Sequence, residues 1–240
     1  MFGLVAHSKP LLFAGAAYLA LTGLAQAQES ASDPGFWNLL FSKGGVVTWV
    51  IALLSAIGLP IAGVKLYQFY KMDIWRPKGL NEGLAAYRAG EAGAQETLSG
   101  LTHPAAALLE FAMIQAQSGG LSPALLREEL ARRAQYLLRH LGRNIWVLEL
   151  IAASAPLFGL LGTVLGMIVA FQGVGQGSGG ADTAILASGI WEALLTTAFG
   201  LAVALPFSML SAVLINAVDD VRDLVEDALS DILVRSESAD

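Results

Sequence analysis

The chain contains no cysteine, which excludes disulfides, thiolate metal sites and a thiol nucleophile. Charge is scarce as well: 14% of the 240 residues are Asp, Glu, Lys or Arg, against 55% hydrophobic. A mean hydropathy of +0.59 is one that soluble domains of this length rarely show. Histidine is limited to His7, His103 and His140, too scattered to hold a metal. The glycine-rich run at 173–180 lacks the following Lys-Ser/Thr and the preceding strand of a phosphate loop. With no nucleophile and base pair, no metal spacing and no cofactor motif, neither an enzyme nor a cofactor is expected. Clustered Lys and Arg are missing too, so no nucleic-acid partner is expected. The eight acids and two arginines that follow Ile215 account for the whole net charge of -6.

Apolar length is what the chain does have. Residues 46–67, 145–172 and 184–215 are each long enough for a helix to cross ~30 Å of hydrocarbon. Residues 1–27 have sparse polar residues, an apolar core from Leu11 to Leu24 and a terminal Ala25-Gln26-Ala27, the pattern of a cleavable signal peptide. An uncleaved first anchor is the alternative, because the segment is near the lower length limit for spanning. Nine basic residues lie between Lys71 and Ile145, and none lies in the loop after the second apolar stretch. The positive-inside rule then places residues 68–144 and the acidic tail 216–240 in the cytoplasm. The short N-terminus, 28–45, and the loop 173–183 then face the opposite, non-cytoplasmic side, which is the periplasm if the membrane is a bacterial inner one. The expected fold is an all-α membrane protein with three transmembrane helices and long cytoplasmic helical extensions. Trp49, Trp75 and Trp146 suit either an interfacial belt or simple packing.

Periodicity supports the extensions. Ser122 and Pro123 form an N-cap and first-turn pair, and Leu126, Leu130, Ala134, Leu137 and Leu141 follow on one stripe. With only Gly142 interrupting, one helix is expected from near Ser122 into the second span. In the tail, Val218, Val221, Val225, Ala228 and Ile232 repeat at helical spacing, which predicts a continuation of the third helix with an acidic outer face.

Glu192 stands alone as a carboxylate within the third apolar stretch. A charge at bilayer depth costs about 3 kcal/mol or more, so such acids face a bundle interior or a wet cavity and serve ion or proton movement. A carboxyl there is disfavoured in its charged form, which suits loading from one side and unloading to the other. Thr163, Thr196 and Thr197 supply hydroxyls, each of which could instead bond back to its own helix. Helical geometry puts Thr196 about 40° from Glu192 and Thr197 about 140° away. Glu149 sits one turn into the second span, where it can reach water, Arg143 or a neighbouring subunit. Gly159, Gly162 and Gly166 permit close helix packing, and Pro156 and Pro206 interrupt backbone hydrogen bonds, giving either kinks or a wet path.

The segments Ala155-Pro156-Leu157-Phe158-Gly159-Leu160-Leu161-Gly162-Thr163-Val164-Leu165-Gly166-Met167-Ile168 and Gly189-Ile190-Trp191-Glu192-Ala193-Leu194-Leu195-Thr196-Thr197-Ala198-Phe199-Gly200-Leu201, with Leu205-Pro206 after them, resemble the MotA/TolQ/ExbB proton-channel family. The three-span plan is similar to ExbB or TolQ rather than to four-span MotA. The resemblance implies a homopentamer in the bacterial inner membrane, its second and third spans lining a pore around a dimeric ExbD- or TolR-like partner. It also implies conversion of proton-motive force into work on a TonB-like protein that energises outer-membrane transport. Glu192, Thr163 and Thr197 match the family's proton-path positions, with Thr196 and Glu149 secondary; here the resemblance favours Thr197 where helical geometry favours Thr196. A TolQ-like role in outer-membrane integrity is the nearest alternative, and a non-conducting membrane scaffold is another.

Overall fold

A computed structural model describes residues 45–75, 78–89, 93–118, 120–176 and 182–237. The expected signal peptide and most of the short N-terminal segment lie outside the described residues. Seven helices and no strand occur among those described: α1 Gly45–Lys71, α2 Lys78–Ala89, α3 Ala94–Leu98, α4 Ala106–Ser118, α5 Pro123–Gly142, α6 Ile145–Gln176 and α7 Asp182–Glu237. Helices α1, α6 and α7 are long and apolar enough to cross a membrane. Their most apolar windows are only 22%, 17% and 28% buried within the chain, so wide apolar faces remain for lipid or for other chains. Helix α7 has 56 residues and runs about 84 Å at 1.5 Å per residue, far more than ~30 Å of hydrocarbon, so part of it projects beyond the bilayer. Pro60, Pro156 and Pro206 lie inside α1, α6 and α7, which continue through them.

The chain divides into two compact units that share these three helices. One takes residues 45–56 with Ile151–Pro206, and it holds the channel-like motifs. Apart from the start of α1, it is a pair of antiparallel helix segments.

The other unit takes Ile57–Leu150 and the α7 extension from Phe207. Helix α2 packs on α3, α3 on α4, and α4 on α5. Its core joins Phe69, Leu109, Met113, Leu130 and Leu141 to Leu214 and Val225, all essentially inaccessible. The tail stripe read from the sequence is the buried face, since Val218, Val221, Val225, Ala228 and Ile232 are all buried. Asp220, Asp223, Glu226 and Asp227 are exposed opposite it. Asp231 accepts from Arg88 Nε at 2.8 Å, which ties the tail to α2.

The helix expected to run unbroken from Ser122 into the second span is instead two helices. Leu126, Leu130 and Leu141 are buried as the stripe predicts, and Ser122 with Pro123 opens α5. The chain then leaves helical geometry at Arg143 (φ -58°, ψ 134°) and turns at Asn144, whose φ is +68°. Asn tolerates this left-handed conformation better than most side-chain-bearing residues, so two residues suffice to end one helix and begin the next.

Candidate functional site

The channel-like motifs come together as a close contact between α6 and α7 within one unit. Small residues on both helices make it possible. A Cβ added at Gly159 would lie 3.0 Å from the Thr197 Cα, and one at Gly166 would lie 3.0 Å from the Ala193 Cβ. At Gly162 it would meet the Thr196 Cγ2 at 2.7 Å, and at Gly200 the Ala155 carbonyl oxygen at 2.6 Å. Gly189 faces Ala170 in the same way. Backbone therefore approaches backbone over about three turns, the geometry that small-xxx-small spacing permits between membrane helices. Gly159, Gly162 and Gly166 were visible as candidates from the sequence. Gly189 and Gly200 were missed, although their spacing with Ala193 and Ala204 on α7 carries the same signal.

The three threonines have different partners. Thr163 donates to the carbonyl of Leu160 at 2.6 Å, and Thr196 to that of Glu192 at 2.8 Å, each within its own helix. Thr197 instead donates to the Gly159 carbonyl of α6 at 2.9 Å. With 3.6 residues per turn, Thr196, Gly189, Gly200 and Ala193 lie about 40°, 60°, 80° and 100° around α7 from Glu192. This is the contact stripe; Glu192 borders one edge and Thr197 the other. Thr196 is buried in the middle, against Gly162. The tertiary contact explains why Thr197, on the far flank, still meets α6.

Glu192 is half-buried, and among the described residues no hydrogen bond or ion pair engages its carboxylate. Trp191 beside it is 62% exposed. On α6, Thr163 opens on a shallow concavity with Val164, Met167, Ile168 and Phe171. Glu149 is exposed and makes no ion pair with Arg143 among the described residues, so that one of its expected partners is absent. Pro156 and Pro206 lack the N–H that would bond the carbonyls of Ala152 and Ala202. Among the described residues no group of three or more His, Asp or Glu is placed to hold a metal ion.

Residues 100–227 match the model of the MotA/TolQ/ExbB proton channel family, a segment that includes the whole α6 and α7 contact. The chain belongs to the MotA/TolQ/ExbB proton channel family. Within that family it is most like ExbB. It is similar to an ExbB-like 1 putative biopolymer transport protein of Synechocystis sp., 33% identical over 178 residues, covering 73% of this chain and 69% of the relative. A putative ExbB homolog of Methanothermobacter thermautotrophicus is 28% identical over 191 residues, covering 78% of this chain and 66% of the relative. Biopolymer transport protein ExbB of Helicobacter pylori is 48% identical over 66 residues, 28% of this chain and 45% of that protein. The family comprises proton channels and transport components rather than a known class of enzymes, and the chain is accordingly a membrane protein of the ExbB type.

Proposed function

We propose that this chain is the channel subunit of a motor driven by proton-motive force in the bacterial inner membrane. Five copies surround the transmembrane helices of an ExbD-like dimer, with α6 and α7 lining the pore. Proton passage then energises a TonB-like protein that works on outer-membrane transporters. The mature N-terminus and the α6 to α7 loop face the periplasm; the α2 to α5 region and the acidic tail are cytoplasmic, with membrane lipids around the outer faces. The positive-inside distribution of Lys and Arg supports this orientation.

One observation carries the reading: the Glu192 carboxyl lies within an apolar span, half-buried, with no hydrogen bond or ion pair among the described residues. Membrane acids that merely stabilise a fold are paired within it, whereas proton-handling acids face a cavity or another chain. In this reading Glu192 carries or balances the proton, and Thr163 and Thr197 are polar pore residues. Thr197 uses its one hydroxyl proton on Gly159, so it takes part through its oxygen lone pairs.

The test is a deletion strain supplied with wild-type protein or Glu192→Gln at equal membrane levels. Gln keeps the shape and removes the titratable proton. A motor subunit loses TonB-dependent uptake while the variant still assembles. Loss of detergent resistance alone assigns the TolQ-like client, and normal performance in both assays makes the protein a scaffold and sinks the proton-path reading.

A further inference from the structure

A second polar feature belongs to the other unit, toward the C-terminal end of α1. Lys65 interrupts the apolar α1 near its C-terminal end yet is only 5% exposed. Its ammonium donates to the Leu141 carbonyl at 3.0 Å and to Gln68 Oε1 at 3.3 Å. An ammonium has three N–H donors, so one remains. Beside it is a cavity of about 270 Å³, lined by Lys65, His140 and Arg143 together with Gln68 and Asn144. That is several times the ~30 Å³ share of one water, enough for a phosphate group. No carboxylate is among the lining residues.

Three further properties point to an anion. Arg143 is exposed, and no hydrogen bond or ion pair engages its guanidinium among the described residues, leaving its planar fork of donors available. The Lys65 and Arg143 charges repel each other, and a shared anion would relieve this. Asn144, which lines the cavity, immediately precedes the 32-residue α6, so the positive end of a long helix adjoins the same cavity.

The remaining wall selects the kind of anion. Ile61 and Val64 come from the membrane-spanning α1 and give the cavity an apolar side continuous with the lipid-facing helix. We propose that this cavity binds the phosphate of an anionic phospholipid, with Lys65, Arg143 and His140 around the headgroup and the apolar wall along its glycerol and first acyl carbons. Basic groups where a spanning helix leaves the hydrocarbon suit such a lipid. The site is independent of the proton path and requires only that α1 spans the membrane.

The test uses the full-length protein, delipidated in mild detergent. Native mass spectrometry measures retention of dioleoyl phosphatidylglycerol or dioleoyl phosphatidylcholine, and thermal unfolding is followed with each lipid and with inorganic phosphate. Arg143→Gln is the cavity variant. Arg132→Gln loses the same charge on α5, where Arg132 pairs with Glu129 outside the cavity. Phosphatidylglycerol is expected to bind about tenfold tighter than phosphatidylcholine, with about a fivefold loss for Arg143→Gln and little change for Arg132→Gln. Equal retention of the two lipids, or equal losses for the two variants, would overturn the proposal. Stabilisation by inorganic phosphate without a preference for phosphatidylglycerol would reassign the cavity to a soluble anion and also overturn it.

Discussion

The Thr197 hydroxyl donates to the Gly159 main-chain carbonyl at 2.9 Å, bridging α7 to α6 within their close contact. The bond needs both partners, because only a residue without a side chain at position 159 lets the Thr197 backbone come near enough. Interhelical hydrogen bonds of this kind contribute about 0.6 kcal/mol on average and up to ~1.7 kcal/mol in membranes. Thr197→Val is expected to destabilise the folded protein by about 1 kcal/mol, and Thr197→Ser by less than half of that. Equilibrium unfolding in mixed detergent micelles measures the difference; equal losses for Val and Ser would mean that the hydroxyl is not what matters.

Close approach makes a sharper prediction at Gly200. An added methyl there meets the Ala155 carbonyl oxygen at 2.6 Å and the Gly159 Cα at 3.2 Å, and neither backbone atom can move aside cheaply. Gly175, near the end of the same α6, has nothing within 4 Å of an added Cβ. Overpacking of a tight interface costs about 1–3 kcal/mol. Gly200→Ala is expected to fall in that range and to weaken assembly in blue native gels, while Gly175→Ala leaves both stability and assembly unchanged.

His103 provides a pH prediction outside the membrane spans. Burial holds its imidazole below the usual histidine range, and this outweighs a backbone hydrogen bond with Ile74 and the negative charge of Asp73, which act in the opposite direction. The Nδ1 atom accepts from the Ala105 N–H at 3.2 Å, which requires the neutral ring. Between the depressed folded pKa and the ordinary value, the unfolded chain binds more protons than the folded one, so stability rises with pH. Stability is therefore full above the ordinary histidine range and declines as pH falls through it, levelling once the folded ring also protonates. His103→Gln is expected to flatten that decline in urea titrations at a series of pH values. An unchanged slope would remove His103 as its source.

Much of the architecture was legible because it is periodic. Apolar length marked the three spans, and the Val218, Val221, Val225, Ala228 and Ile232 repeat named the buried face of a helix that runs to Glu237. Glu192 stood out by cost alone, as a carboxylate where apolar residues belong. The break at Arg143 and Asn144 was not legible. A hydrophobic stripe records which residues are buried, and two helices meeting at a left-handed Asn can bury the same stripe as one straight helix.

Lys65 shows the limit more clearly. Its position as a lone cation near the end of an apolar stretch was in plain view, yet its partner, the Leu141 carbonyl, is 76 residues away. The cavity with His140 and Arg143 exists only because α1 and the end of α5 pack side by side.

The amino-acid sequence by itself marked the all-helical class, three stretches long and apolar enough to cross a membrane, the family and the lone acid in the third stretch, since each follows from local composition, spacing or motif. Tertiary structure alone decided that Thr163 and Thr196 bond within their own helices while Thr197 bonds across, and that Gly200 completes the contact begun by Gly159. A hydroxyl or a buried ammonium takes whichever acceptor packing brings within about 3 Å, and that distance is set by helices far apart in the chain.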